Sequence, residues 1–158
     1  MNTNIQLKQG SPEWLAYRMT IRNASETAAV LGLSPWITPY QLWLLKTGRK
    51  KQVVTPDMQH GTDLEPAARA AYELKTGEIM QPLVLQDGAY SASMDGMTLN
   101  GGLIVEIKCP VRGQDSALWK DVADGTVPGH YGVQVKHQLM VSGAAIAHSG
   151  CLTVCTAC

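Results

Sequence analysis

The sequence predicts an α/β (α+β) fold, a central mixed β-sheet flanked by helices. Three observations carry this. The hydrophobic period is helical to about residue 77, strand-like from 79 to 108, and helical again from 114 to 142. A run of strands set between runs of helices makes a sheet with helices packed around it. Gly101-Gly102 then precedes Leu103-Ile104-Val105-Glu106-Ile107-Lys108, whose β-branched content marks a buried strand. Finally, 158 residues suffice for one domain, 1–158, that buries about two-thirds of its unfolded surface without a metal or disulfide.

The elements follow in order. Ser11-Pro12-Glu13 opens a helix, with Ser as N-cap, Pro in the first helical position and an acid in the first turn. It carries Trp14, Leu15, Tyr17, Arg18 and Met19. A second helix starts near Ser25-Glu26 and stops at Gly32. After Ser34-Pro35-Trp36, Thr38-Pro39 caps a third, ended by Thr47-Gly48. Residues 49–58 are polar and read as loop; a fourth helix runs from about Thr62 to Lys75 and ends at Gly77. Residues 79–86 and 89–94 read as short strands about the turn Asp87-Gly88. Beyond strand 103–108, residues 114–123 read as a helix around Trp119, and Tyr131 to Val141 as another, ended by Ser142-Gly143.

Composition narrows the classes. The apolar fraction of 45% and charged fraction of 16% describe a globular protein. No apolar run reaches the ~18 residues of a membrane helix, and MNTNIQLKQG lacks a signal core, so a cytoplasmic location is expected. With Phe absent, Trp, Tyr, Leu and Met are expected to fill the core. The net charge of zero hides an asymmetry: residues 1–51 hold seven Lys or Arg and two acids, residues 52–107 eight acids and two bases. That pattern fits a chain that grips a polyanion at one place and gathers carboxylates at another.

Several residues could do chemistry. Glu106 and Lys108 lie two apart on a strand and share a face, while Val105, Ile107 and Cys109 point the other way. A plain ion pair is the ordinary meaning of Glu-x-Lys, but two charges in mid-strand are costly without a purpose. Asp95 precedes them by eleven residues and on a neighbouring strand would meet Glu106. Two touching carboxylates repel unless a cation sits between them, and oxygen ligands suit Mg²⁺ or Mn²⁺. Taken alone, Asp95-Gly96 reads as an ordinary turn rather than a metal ligand. Glu65 fits a capping box with Thr62 or an i,i+4 pair with Arg69. Ser25 at a helix start with Arg18 makes an anion site, or a routine cap beside a surface Arg. The tail Cys151-x3-Cys155-x2-Cys158 has iron–sulfur spacing but only three ligands.

Read together, these pieces resemble one family. Gly10 to Arg18, Asn23-Ala24-Ser25, Leu31 to Trp36, Leu42-Trp43 and Lys46-Thr47-Gly48 resemble the start of YqaJ-like viral recombinases, relatives of phage lambda exonuclease. Gly61-x3-Glu65-x2-Ala68, Tyr72-Glu73, Ser93-Met94-Asp95-Gly96, Glu106-Ile107-Lys108-Cys109-Pro110 and Tyr131-x2-Gln134-x3-Gln138-Leu139 continue it to about residue 143. The resemblance implies a restriction-endonuclease-like core of the PD-(D/E)xK type. It implies catalytic roles for Glu65, Asp95, Glu106, Lys108 and Gln134. Asp95, Glu106 and the Ile107 backbone carbonyl would hold Mg²⁺, with Mn²⁺ as substitute, and Lys108 would orient or activate the attacking water. Arg18 and Ser25 fall where the family binds the DNA 5′-phosphate.

Two departures stand out. His137 replaces the Tyr of the late Gln-x-x-Tyr motif, and the chain after about residue 143 does not resemble the family, so a truncated or atypical end is expected. The implied function is a Mg²⁺-dependent deoxyribonuclease, a 5′-to-3′ double-strand exonuclease leaving 3′ single strands for recombination by annealing. The alternatives are an endonuclease or nickase on the same core, a non-catalytic DNA-binding or partner-docking module, and, from the tail, an iron–sulfur protein. Implied partners are double-stranded DNA ends, a single-strand annealing protein and further copies in a ring trimer, within a bacterial or phage-infected cytoplasm and with no membrane. Trp14, Trp36 and Trp43 are expected in the core rather than stacked on bases.

Overall fold

Helix α1 (Pro12–Thr20) begins where Ser11 accepts the Trp14 amide at 3.2 Å. In this computed structural model, which describes residues 2–151, most helix starts obey the same rule. Thr38 caps α3 (Pro39–Lys46), and Gln41 returns the bond to the Thr38 amide at 2.8 Å. Thr55 caps α4 (Pro56–Thr76) and Ser116 caps α5 (Ala117–Ala123). Glycine stops two helices: Gly77 closes α4 at φ 76° and Gly143 closes α6 (Gly129–Ser142) at φ 73°. The helix expected from Ser25 is a 3₁₀ turn (Ala24–Glu26) running into the four-residue α2 (Thr27–Val30), because Asn23 rather than Ser25 occupies the cap position.

Helix α4 corrects the expected boundary. Pro56 sits in its first turn, so the segment read as loop to residue 58 is already helical. Thr62 is therefore interior and donates to the Met58 carbonyl at 3.1 Å, so it is no capping-box partner for Glu65. The i,i+4 alternative holds: Glu65 and Arg69 lie 3.2 Å apart.

The sheet comprises β1 (Thr3–Asn4), β2 (Arg22–Asn23), β3 (Met80–Asp87), β4 (Tyr90–Thr98), β5 (Leu103–Lys108) and β6 (Ile146–Cys151) among the described residues. Its order is β1-β3-β4-β5-β6. Strand β3 takes one edge of β4 along its length. The other edge is shared by β5, antiparallel at Gly96↔Val105, and β2, parallel at Arg22↔Tyr90. Strand β6 pairs parallel to all of β5, from Leu103↔Ile146 to Lys108↔Cys151. Residues 146–151, expected to be atypical, thus add a strand to the sheet. Helices sandwich it. Met94, Met97, Leu85, Ile104 and Val141 form a core on the α6 face. Ala68, Met80, Val105 and Ile107 form one against α4. Methionine fills the space that Phe would take. Trp14 is half-buried, but Trp36 is 64% and Trp43 45% exposed, which overturns the core assignment of those two.

One irregularity matters most. Between Gln81↔Met97 and Leu83↔Met94, β3 spends one residue and β4 two. The extra residue is a β-bulge at Asp95-Gly96, opposite Pro82, which has no amide to lose. It shifts the packing phase of β4, whose contacts with the α6-side core step from Ala92 and Met94 to Met97. Asp95-Gly96 is therefore mid-strand and not a turn.

At Gly96 a Cβ would stand 2.8 Å from Met80 Cβ and 2.9 Å from Val105 Cγ1. Gly96→Ala should cost about 1–3 kcal/mol by overpacking, read as a lowered urea midpoint with unchanged slope.

Candidate active site

The bulge turns Asp95 toward β5. Its Oδ2 accepts the Ile107 amide at 2.7 Å, next to the last backbone pair of the two strands. Glu106 lies across from it on β5 and is 3% exposed. Alternation on β5 sends Val105 and Ile107 to the α4 side and leaves Glu106 and Lys108 facing α6. The Lys108 ammonium donates to Glu106 Oε1 at 2.5 Å.

Helix α6 supplies the remaining donors. Gln134 Nε2 donates to Glu106 Oε1 at 2.7 Å. Gln138 Nε2 donates to Glu106 Oε2 at 2.5 Å and to the Ser93 carbonyl at 3.2 Å. Gln138 is fully buried at 0% exposure. Helix α4 closes the other side, where Arg69 Nη1 bridges Glu65 Oε1 at 3.2 Å and the Asp95 carbonyl at 2.7 Å. The five residues singled out for catalysis thus gather at one place. Arg69, Gln138 and Tyr131, whose ring lies 5.1 Å under the Lys108 ammonium, join them unforeseen. Gln138 was legible: it stands one helical turn after Gln134 on the same face of the helix.

The electrostatics follow from burial. Burial, then the Glu106 charge, pushes the Asp95 carboxyl well above the usual carboxylate range. Burial likewise raises Glu65, against the pull of Arg69. Burial works to discharge Lys108, but Glu106 and Asp95 outweigh it and hold the ammonium above its ordinary value. The two carboxylates therefore favour the charged form of Lys108.

Among the described residues, no group of three or more His, Cys, Asp or Glu is disposed to hold a metal ion. The donor set nonetheless fits a hard cation. Asp95 and Glu106 are carboxylates held against each other's charge, and Mg²⁺ is commonly bound by one or two carboxylates with water and phosphate oxygens. The Ile107 peptide is fixed between them through its amide.

Arg18 and Ser25 also meet, Arg18 Nη2 donating to Ser25 Oγ at 2.9 Å. Glu26 lies 3.5 Å from the same nitrogen, so the guanidinium already has an anionic neighbour. Glu26 also binds Lys46 at 2.9 Å, and Lys46 donates to the Arg18 and Ile21 carbonyls. Two of the basic first third's cations are thus internal ties, while Arg49, Lys50 and Lys51 stay exposed. His137 faces α2, where Thr27 Oγ1 lies 2.7 Å from Nδ1, and its Nε2 is buried with no hydrogen-bond partner. It packs the amino-terminal segment onto α6 and touches none of the site residues above. Of the tail cysteines, Cys151 lies on β6 and burial raises its thiol pKa. Cys155 and Cys158 lie outside the described residues.

The sequence matches the YqaJ-like viral recombinase domain over residues 13–145. The chain belongs to this family. It is 31% identical over 141 residues to the protein YqaJ of Bacillus subtilis, covering 83% of this chain and 42% of that one. It therefore spans less than half the length of that relative. LHK-Exo in complex with dAMP superposes with a TM-score of 0.73 at 26% identity, covering 90% of this chain and 74% of the other. A second structure of this alkaline exonuclease from Laribacter hongkongensis gives 0.70 at 28%, covering 89% and 74%. A phage-related exonuclease from Haemophilus somnus shares the fold, with 0.61 at 13% identity over 88% and 70%. The YqaJ-family core here is the restriction-endonuclease-like one. No described helix is long and apolar enough to cross a membrane.

Two outcomes test the site. Gln138→Met keeps the volume but removes the donor to a buried carboxylate oxygen, and should cost about 1–3 kcal/mol in urea unfolding. Asp95→Asn should stabilise the metal-free protein. A carboxyl with a raised folded pKa imposes no penalty below the ordinary carboxylate range, and the penalty grows as pH rises through that range to the folded value. The variant's urea midpoint in EDTA should exceed the parent's at neutral pH and converge with it in acid.

Proposed function

We propose that this chain is a metal-dependent deoxyribonuclease that shortens double-stranded DNA from a 5′ end and leaves 3′ single strands for recombination by annealing. One observation carries the reading. Asp95, Glu106, Lys108, Gln134 and Glu65 converge from β4, β5, α6 and α4 in a chain of the YqaJ-like family, whose structural relatives include an alkaline exonuclease.

Asp95 and Glu106, with the Ile107 carbonyl, are the residues to hold Mg²⁺ or Mn²⁺. Bound there, the ion supplies an acidified water and neutralises charge growing on the phosphate. The chain's own groups do the rest. Lys108, held beside Glu106, orients or activates the attacking water. Gln134 and Gln138 fix both Glu106 oxygens, so the carboxylate cannot turn with the substrate. Arg69 holds Glu65 and the Asp95 peptide together. Arg18 and Ser25 receive the 5′-phosphate, displacing Glu26 from the guanidinium. A single-strand annealing protein and further copies of the chain, in a ring trimer, complete the proposal as partners.

End-labelled linear duplex incubated with Mg²⁺ or with EDTA tests it. The 5′-ended strand should shorten only with Mg²⁺. Asp95→Ala and Lys108→Ala should each lower the rate by about 10²-fold or more. Arg18→Ala should slow a 5′-phosphorylated end far more than a 5′-hydroxyl end. Cleavage of closed circles would favour an endonuclease instead, and binding without any cleavage a docking module.

A further inference from the structure

Trp36 is out of place. Burying an indole is among the larger apolar gains available to a chain, yet this one is 64% exposed. It is not loosely held. Its turn is pinned by Ser34, whose hydroxyl accepts the amides of Trp36 at 3.2 Å and Ile37 at 3.3 Å. The ring meets His130 edge-on, with centroids 5.0 Å apart at 88°, and Tyr131 at 6.0 Å and 49°. His130 and Tyr131 are themselves in contact at 4.2 Å. Tyr131 is the residue under the Lys108 ammonium. An unbroken aromatic path therefore runs from the catalytic lysine to an exposed indole, linking the turn before α3 to the start of α6.

We propose that Trp36, braced by His130 and Tyr131, is a stacking platform for the nucleobase next to the phosphate being cut. This rests on the nuclease reading and deepens it. A flat, fixed π-surface accepts any of the four bases, which suits an enzyme that must advance through every sequence. The exposed run Arg49-Lys50-Lys51 after α3 supplies charge for the phosphates beyond. Trp36 would hold the base and thereby set the phosphate against Lys108. It contributes no group to the reaction.

The test is equilibrium binding of linear duplex with Ca²⁺ in place of Mg²⁺, so that no strand is cut. Two ends are compared: an intact one, and one whose terminal 5′ nucleotide lacks its base. The parent protein should bind the abasic end on the order of tenfold more weakly. Trp36→Ala should bind both ends with the same, weaker affinity, and Trp36→Phe should recover most of the preference. An undiminished preference in Trp36→Ala, or equal binding of both ends by the parent, overturns the platform while leaving the nuclease standing. A parent protein that binds neither end overturns both.

Discussion

The burial of the Glu106 carboxylate is the constraint around which the rest is arranged. A charge in the middle of a sheet is tolerated only when its oxygens are engaged and its sign is balanced. Oε1 takes Lys108 and Gln134, and Oε2 takes Gln138. Those donors come from the same strand and from the helix packed on that face. The position of α6 is therefore set by polar contacts at its middle as well as by Val141 and Leu139 toward its end. Asp95 adds a second carboxylate to the same place, where burial and the Glu106 charge disfavour its ionised form.

Much of this was legible in the residues, for reasons that differ by element. Two helix starts were readable because Ser11 and Thr38 are local devices that work over three residues, whereas the helix expected from residue 114 starts at Ala117 behind the cap Ser116. The β5 strand and its two faces followed from alternation alone. What failed depended on distant partners. Asp95-Gly96 looks like a turn in isolation, and only the flanking pairs of β4 with Gln81 and Leu83 on β3 and with Val105 on β5 make it a bulge. The polar 49–58 stretch concealed the Thr55-Pro56 start of α4, although that pair is a good capping sequence. Trp36 and Trp43 were misplaced because hydrophobicity predicts burial only on average. Arg69 was visible as a helix pair, but its bond to the Asp95 carbonyl spans two elements and leaves no local trace.

Helix α6 has two clients. Gln134 and Gln138 face the carboxylates, while His137, between them in sequence, faces α2 and Thr27. One rigid element therefore sets the distance between the β5 site and the segment carrying Arg18 and Ser25. Tyr131 and His130 extend the same helix to Trp36. The three groups assigned to a DNA end, its phosphate, its base and its scissile bond, are all referenced to this single rod. Rigid referencing of this kind keeps a reacting bond aligned.

The parallel pairing of β6 on β5 has a consequence for the order of events during synthesis. Parallel neighbours need a long crossover, here the whole segment from Cys109 to Ala145 with α5 and α6 inside it. Until residues 146–151 leave the ribosome, the strand bearing Glu106 and Lys108 is an open edge with unpaired amides and carbonyls. The nascent chain thus carries the strand with the paired charges Glu106 and Lys108 at a vacant border, and the last described strand to be made is the one that pairs with it. A partly made chain has Glu106 and Lys108 but lacks the neighbour that fixes their backbone, so the geometry of this pair is set only once β6 has docked.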